Sequence, residues 1–232
     1  MRGAPDRFEL VVFDWDGTLM DSQARIVACI QGAFRDAGQT PPSGEAASNI
    51  IGLGLDEAMA VLWPQADAGQ RAAVGAHYRR HFLVTNEIPS ALFPGARAML
   101  ERLAAEGYLL AVATGKSRVG LDRSLGETGL QDLFHATRCA DETFSKPHPQ
   151  MLLELMDELG VAAGRTLMVG DTVYDLQMAL NARAYALAVC HGVHPPERLL
   201  DLGPLACLES LGEIPEWLAG RGGRNASANE RE

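Results

Sequence analysis

One short stretch near the start of the chain restricts its fold more than any other: an apolar run, Leu10–Phe13, that stops at two aspartates separated by one residue. Apolar, β-branched runs of this length are typical of a buried strand in a parallel sheet. Asp14 and Asp16 follow at once, and two carboxylates so close repel each other unless a cation or a shared proton offsets their charge. The stretch therefore predicts a buried strand that ends in a charged site rather than in a solvated turn.

The residues after the two aspartates suit an anion-binding turn. Gly17 permits a sharp turn that directs backbone amides toward an anion, and Thr18 adds a small donor. The string Asp14-x-Asp16-Gly17-Thr18 resembles the first motif of the haloacid dehalogenase-like hydrolase superfamily, and residues 13–22 look like its phosphoglycolate-phosphatase-like branch. The resemblance implies that three further motifs follow in order.

Length and charge limit the class of protein. With 232 residues the chain is long enough for one sizeable core, or for a core with a smaller insert. A formal net charge of -10 argues against a nucleic-acid or membrane partner. No apolar run approaches membrane-spanning length and no signal sequence is visible, so we expect a cytoplasmic protein. The family resemblance implies that its partner is a small-molecule phosphomonoester. The oligomeric state stays open, and a monomer is compatible with the sequence.

The cysteines show no pattern of a metal site or of a disulfide framework. Cys29, Cys139, Cys190 and Cys207 lack C-x-x-C spacing and companion histidines. We therefore expect four free, buried thiols.

A long stretch after the first strand lacks strand alternation. A helix begins there, capped by Ser22 or Asp21, and residues 45–87 stay helical or loop-like, with helices predicted around 56–63 and 68–84. A parallel strand is expected here if the sheet simply continues, so this stretch is interpreted as a helical insert. The predicted division is a core of residues 1–20 and 91–219, a helical cap of residues 21–90, and a disordered tail of residues 220–232.

Strands and helices alternate through the rest of the chain, as expected of a doubly wound sheet. Together with the resemblance, this predicts an α/β fold: a mostly parallel, Rossmann-like sheet with an inserted α-helical cap. The predicted strands cover residues 108–113, 134–139, 166–169 and 185–189, and the helices between them cover residues 117–127, 147–159 and 173–181.

Ligands in such sheets bind beyond the carboxyl ends of the strands. Thr114-Gly115-Lys116-Ser117 follows the second core strand and resembles the second motif of the family, which implies that Thr114 and Gly115 bind the phosphoryl group. The same residues are also typical of a helix cap. The two interpretations are compatible, because helix amino-termini attract phosphate.

Lysine is rare in this chain. Of 20 Lys and Arg residues only Lys116 and Lys146 are lysines, which suggests that a compact ammonium group is needed at these positions. Ser145-Lys146-Pro147 resembles the third motif, and the resemblance implies that Lys146 neutralises both the nucleophile and the transferring phosphoryl group.

A further pair of acids follows a later strand. Asp171 comes directly after Gly170, and Asp175 lies four residues further on, a pattern that resembles the fourth motif. The resemblance implies a Mg²⁺ cofactor held by the Asp14 side chain, the Asp16 backbone carbonyl and Asp171. It also implies that Asp175 supports this site through water or through Lys146.

The resemblance also implies a mechanism, in which Asp14 is the nucleophile and Asp16 is the general acid and base of a phosphatase. Dehalogenases of the family lack the second acid, so dehalogenation is disfavoured. Residues 52–55 resemble the specificity loop of the cap and favour a small acidic phosphomonoester similar to 2-phosphoglycolate. Two alternatives stay open: a phosphomutase or pyrophosphatase on the same scaffold, and a non-catalytic regulatory module.

Overall fold

A six-stranded parallel sheet forms the centre of the computed structural model, which describes residue 5 and residues 7–222. Among these residues the strands are, in chain order, β1 (Leu10–Phe13), β2 (Met20–Asp21), β3 (Ala91–Leu92), β4 (Leu109–Thr114), β5 (Ala136–Cys139), β6 (Thr166–Gly170), β7 (Tyr185–Val189) and β8 (Cys207–Leu208). The sheet has the order β5-β4-β1-β6-β7-β8, and β2 pairs separately with β3 in antiparallel fashion. β1 therefore lies inside the sheet, in parallel register with β4 and β6.

Helices cover both faces of this sheet. The α-helices are α1 (Gln23–Asp36), α2 (Gly44–Asn49), α3 (Leu55–Leu62), α4 (Ala68–Arg80), α5 (Ala96–Ala105), α6 (Arg118–Thr128), α7 (Gln150–Leu159), α8 (Val173–Asn181), α9 (Pro196–Leu200) and α10 (Ile214–Gly222). Buried side chains of α5, α6 and α10 pack on one face, and those of α7 and α8 pack on the other. Alternate residues of β1 enter the two clusters, which confirms the predicted doubly wound α/β sheet. Every helix in the described part of the chain is too short or too polar to cross a lipid bilayer.

The helices α1 to α4 surround a third, separate apolar cluster, which includes Ile30, Phe34, Ile50 and Met59. This helical insert leaves the sheet region at β2 and returns at β3. Because β2 and β3 pair with each other, the two ends of the insert lie side by side. This arrangement agrees with an inserted cap, and we propose its boundaries at residues 21 and 90.

Most predicted elements lie within a few residues of the observed ones. β7 and α8 have the predicted bounds, whereas α7 begins at Gln150, after a segment with two prolines. The helix predicted to continue to residue 84 changes to a π-helical turn at His81–Thr85. The predicted disordered tail is wrong for residues 220–222, which end α10, and its other residues lie outside the described part of the chain.

The prediction of four free thiols is wrong for two of them. Cys190 follows β7 and Cys207 begins β8, and the structure joins them in a disulfide with a Cα–Cα distance of 6.1 Å. The two strands are parallel neighbours, so pairing in the sheet brings together cysteines that are 17 residues apart. No local spacing pattern marks such a pair. Cys29 and Cys139 are free and buried, as predicted.

Candidate active site

Three strands that are neighbours in the sheet end at one point. Asp14 follows β1, Thr114 ends β4, and Asp171 follows β6, and all three side chains are buried. This is where the chain reverses its direction of travel across the sheet, the usual position of ligand sites in open α/β folds. The strand ends therefore bring the sequence-predicted residues into one region.

Asp14 is fully buried, and its two carboxylate oxygens differ in their surroundings. Oδ1 accepts the backbone N–H of Trp15 at 2.6 Å and lies 2.8 Å from Nζ of Lys146. Oδ2 has no hydrogen-bond partner among the described residues. Burial, together with the charges of Asp175 and Asp171, raises the pKa of Asp14 well above its ordinary value, although Lys146 opposes the shift. One oxygen is thus anchored and the other is left for a ligand.

Asp16 points to a different set of partners. Its Oδ1 accepts the hydroxyl of Ser22 at 2.6 Å and lies 3.0 Å from Nζ of Lys116. Ser22 occupies the cap position of α1 as predicted, but its side chain makes no capping hydrogen bond because the hydroxyl is used by Asp16. The ammonium group of Lys116 also lies 4.4 Å from the ring centre of Phe82, which belongs to the helical insert.

Lys146 is enclosed between two carboxylates. Its Nζ lies 2.8 Å from Asp14 and 2.6 Å from Asp175, and all three side chains are inaccessible to solvent. Burial alone would lower the pKa of the ammonium group, but the two carboxylates more than offset this and raise the pKa of Lys146 to about 12. Lys146 therefore stays charged at every physiological pH.

Asp171 and Asp175 are held by short polar contacts. Asp171 accepts the hydroxyl of Thr18 at 2.7 Å and the backbone N–H of Val193 at 2.8 Å. Burial and the charge of Asp175 raise the pKa of Asp171 to about 7. Gly17 has a φ of 85°, and a Cβ atom there would lie 2.3 Å from Oδ2 of Asp171, so this turn excludes any larger residue.

These carboxylates form a group that can hold a metal ion. One oxygen each from Asp14, Asp171 and Asp175 lies within 4.8 Å of the others. Three carboxylates and one ammonium group leave two negative charges in excess, which disfavours a bound phosphate unless a cation is present. The all-oxygen donor set of this group suits Mg²⁺. The side chain of Asp16 lies outside this group, and its predicted role through the backbone carbonyl stays a prediction.

Thr114 ends β4, and Gly115 follows it beside the insert. The hydroxyl of Thr114 accepts the backbone N–H of Lys116 at 3.2 Å. A Cβ atom on Gly115 would lie 2.4 Å from the carbonyl oxygen of Leu53, so the second motif and the insert are in close contact. Ser117 accepts the backbone N–H of Gly120 and caps α6, so the capping interpretation holds for this serine.

A cavity of about 190 Å³ lies between the strand ends and the insert. Asp14, Asp16 and Thr114 line its inner end, and residues 52–55 line its outer wall. The backbone N–H of Gly54 donates to Oγ of Ser145 at 2.7 Å, which fixes the loop of residues 52–55, hereafter the cap loop, to the core. The predicted specificity loop therefore faces the predicted catalytic residues.

Four basic residues, His77, Arg79, Arg80 and His81, lie at the end of α4 and the start of the π-helical turn. His77, Arg80 and His81 all approach the carboxylate of Asp36 at the end of α1. Of these four residues Arg79 alone lines the cavity. Three of the four side chains are thus paired within the insert.

Sequence reasoning missed the contacts that join distant segments. It left the role of Lys116 open, although the scarcity of lysine was a usable signal. The contact of Ser22 with Asp16 and that of Val193 with Asp171 carry no sequence signal, because serine and valine are ordinary residues at such positions.

The chain is similar to known proteins over most of its length. The family model described as haloacid dehalogenase-like hydrolase matches residues 11–189. A protein of Dickeya dadantii named probable phosphatase IndB is 36% identical over 210 residues, which are 88% of this chain and 91% of that protein. A phosphoglycolate phosphatase of Aliivibrio fischeri is 32% identical and covers 84% of this chain and 90% of its own length.

The fold is also shared with solved structures. A hydrolase from Pseudomonas syringae superposes with a TM-score of 0.83 at 22% identity, covering 91% of this chain and 98% of that one. At this identity the likeness concerns the fold alone. Because the family model covers most of the chain and the relatives match along nearly their whole length, the chain belongs to the haloacid dehalogenase-like hydrolases.

Proposed function

We propose that this protein is a Mg²⁺-dependent phosphomonoesterase that works through an aspartyl-phosphate on Asp14 and acts on a small acidic substrate similar to 2-phosphoglycolate. Membership of this hydrolase family and the phosphatase names of both relatives support the enzyme class, a phosphatase.

The observation that carries the proposal is the asymmetry of the Asp14 carboxylate. Oδ1 is held by Trp15 and Lys146, whereas Oδ2 is buried without a hydrogen-bond partner in the described part of the chain. A buried carboxylate oxygen without a donor is costly unless a ligand engages it. A carboxylate that is fixed at one oxygen and open at the other is suited to attack a phosphoryl group in line.

In the first half-reaction, a carboxylate oxygen of Asp14 forms a bond to phosphorus as the bond from phosphorus to the leaving oxygen breaks. Asp16 gives its proton to that oxygen, so the product leaves as an alcohol. The ammonium group of Lys146 offsets negative charge on Asp14 and on the phosphoryl oxygens. The hydroxyl of Thr114 and the backbone N–H of Gly115 are further donors for these oxygens.

In the second half-reaction, Asp16 removes a proton from a water molecule. The water oxygen bonds to phosphorus, the bond from phosphorus to Asp14 breaks, and inorganic phosphate leaves. The hydroxyl of Ser22 and the ammonium group of Lys116 keep the Asp16 carboxylate in place for both proton transfers. Closure by the cap loop excludes other water from the intermediate.

Asp14, Asp171 and Asp175 would hold the magnesium ion, Asp175 either directly or through water, with the Asp16 carbonyl as a further ligand. Bound there, Mg²⁺ supplies positive charge that offsets the carboxylates and the substrate phosphate.

The cavity supports a small, anionic substrate. Its volume of about 190 Å³ lies below the roughly 300 Å³ at which pockets for larger ligands begin. Arg79 and Lys116 line its wall together with the carboxylates of Asp56, Glu57 and Asp141, so a substrate carboxylate would have to lie beside these two cations. Leu53 and Leu55 add apolar surface that offers nothing to a sugar hydroxyl.

A panel of phosphomonoesters tests the proposal. Phosphate release is measured for 2-phosphoglycolate, glucose 6-phosphate and p-nitrophenyl phosphate, with Mg²⁺ and with EDTA. We expect Mg²⁺-dependent release that is fastest for 2-phosphoglycolate, and one added phosphoryl group on Asp14 in acid-quenched protein by mass spectrometry. Isomerised sugar phosphate in place of released phosphate indicates a mutase instead, and absence of turnover on the whole panel contradicts the enzyme assignment.

A further inference from the structure

The loop that follows β7, residues 190–195, encloses the carboxylate of Asp171. The backbone N–H of Val193 donates to Oδ2 of Asp171 at 2.8 Å, and that of His194 donates to the Asp171 carbonyl at 3.3 Å. A Cβ atom on Gly192 would lie 2.2 Å from Oδ2 of Asp171, so the loop backbone is pressed against this side chain. The orientation of Asp171 therefore depends on the position of the loop.

The same loop is attached to the insert through the imidazole of His194, which is 3% exposed. Nδ1 accepts the backbone N–H of Val173 at 3.0 Å, so the hydrogen of a neutral ring must lie on Nε2. Nε2 then donates to the carbonyl oxygen of Asn49 at 3.3 Å. Val193 also packs against the apolar cluster of the insert.

A second donor reaches the same carbonyl from the core. The phenol hydroxyl of Tyr174 donates to the Asn49 carbonyl at 2.9 Å, and the guanidinium of Arg198 donates to the Asn49 side chain. Asn49 ends α2, so these three core residues hold the insert at a helix terminus that would otherwise leave its carbonyl unsatisfied.

Asn49 leads directly into the cap loop. Gly52, three residues further on, has a φ of 100° and lies against the side chains of Thr172 and Tyr174. Thr172 in turn donates its hydroxyl to Asp175 at 2.7 Å. The cap loop thus packs on the segment between Asp171 and Asp175, two of the three carboxylates of the candidate metal group, and displacement of the loop would disturb contacts at both.

We propose that Tyr174 and His194 are positioning residues that link Mg²⁺ binding at Asp171 to docking of the cap loop on the core. The inference rests on the proposed function, because it takes Mg²⁺ as the cofactor. Mg²⁺ tolerates little departure from octahedral geometry, so its affinity depends on how firmly Asp171 is oriented. Linkage is reciprocal: if docking strengthens the metal site, the metal strengthens docking by the same factor.

Tyr174→Phe tests the link, because the lost hydroxyl contacts Asn49 and Arg198, both of which hold the insert, and none of the carboxylates of the metal group. Mg²⁺ alone is titrated into the full-length protein by isothermal titration calorimetry. We expect the dissociation constant of Tyr174→Phe to rise at least about fivefold, the lower end of ordinary coupling between sites. Tyr108→Phe is the matched control, because Tyr108 lies just before β4, at the end of the strand away from Thr114. The Mg²⁺ affinity of this variant is expected to equal that of the wild type.

Hydrogen exchange provides a readout of docking that does not depend on turnover. Mg²⁺ is expected to slow amide exchange in residues 50–55 of the wild type, and to slow it less in Tyr174→Phe and in His194→Phe. His194→Gln, whose amide can replace both ring contacts, is expected to recover part of the effect. If Tyr174 has only a structural role, Tyr174→Phe has a lower melting temperature than the wild type but the same Mg²⁺ affinity.

The outcomes separate this inference from the proposed function. The link is overturned if Tyr174→Phe binds Mg²⁺ as tightly as the wild type and the metal does not change amide exchange in residues 50–55. That result leaves the phosphatase proposal in place. Absence of Mg²⁺ binding to the wild type overturns the cofactor assignment and, with it, the link.

Discussion

The ammonium group of Lys116 lies 3.0 Å from Oδ1 of Asp16, and both side chains are nearly inaccessible to solvent. The same oxygen accepts the hydroxyl of Ser22, so the carboxylate is held from two sides. Lys116 also contacts the face of Phe82 from the insert, which places it between the proposed general acid and the cap. This arrangement assigns Lys116 a role in orienting Asp16.

Lys116→Met is expected to slow the hydrolysis of esters that need a protonated leaving group more than the hydrolysis of activated esters. Without the ammonium group Asp16 loses one of its two side-chain contacts, and a misplaced general acid loses part of the roughly 10²–10⁴-fold that such a group contributes. We expect kcat on 2-phosphoglycolate to fall at least tenfold and kcat on p-nitrophenyl phosphate to fall less. Equal losses on both substrates would show that Lys116 does not act through Asp16.

Asp14→Asn is expected to abolish turnover while the fold stays intact. An amide is not a nucleophile for phosphorus, and it replaces a buried carboxylate of the same shape. Removing one buried charge from a group of three is not expected to destabilise the protein. Phosphate release, circular dichroism and mass spectrometry of quenched protein check this, with Asp132→Asn on the surface as the control. Activity close to that of the wild type would refute the covalent mechanism.

Gly54→Val is expected to lower kcat/KM for the native substrate about tenfold, or about 1.4 kcal/mol of transition-state binding. A Cβ atom at residue 54 would lie 2.6 Å from Glu57 and 3.0 Å from both Ala140 and Ser145, so the cap loop must move away from the core. The loss is expected to be smaller for acetyl phosphate, which needs less contact with the cap.

Gly126→Val is the control for this substitution, because a Cβ atom at Gly126 has nothing within 4 Å. Its kcat/KM is expected to match that of the wild type on both substrates. If Gly54→Val lowers kcat/KM equally for both substrates and the fold is intact, the cap loop does not determine specificity.

Glu142→Gln is expected to reduce stability at neutral pH and to have little effect in acid. Arg118 binds Glu142 through two hydrogen bonds of 2.9 and 2.7 Å, and these lower the pKa of Glu142 below its ordinary 4.5. A carboxyl group whose pKa is lower in the folded than in the unfolded protein stabilises the fold at pH values above its unfolded pKa. This stabilisation is lost as the pH falls through its folded pKa.

Because this pair is about one-third exposed, the expected loss at pH 7 is about 0.5–1 kcal/mol. Urea denaturation at pH 7 and at pH 3 measures it, with Glu127→Gln as the matched control for an exposed pair within one helix. A difference of the same size at both pH values would contradict the electrostatic origin.

The sequence alone determined the framework of the site. Apolar runs with carboxylates at their ends predicted the strands, and sheet geometry requires that Asp14, Thr114 and Asp171 lie at the same edge. These features are local, because strand formation and the position of a residue at a strand end depend on a few neighbouring side chains. Family membership was predictable for the same reason, since each motif is a short string.

Only the tertiary structure decided which side chains meet. Lys116 pairs with Asp16, Val193 holds Asp171, and the hydroxyl of Ser22 is used for a carboxylate rather than for a helix cap. The disulfide of Cys190 and Cys207 depends in the same way on β7 and β8 becoming neighbours. Such contacts join segments that are far apart in the chain, and the packing of the whole fold sets their distances. For this reason the residues at the strand ends were predictable from the sequence, whereas the contacts that orient their side chains were not.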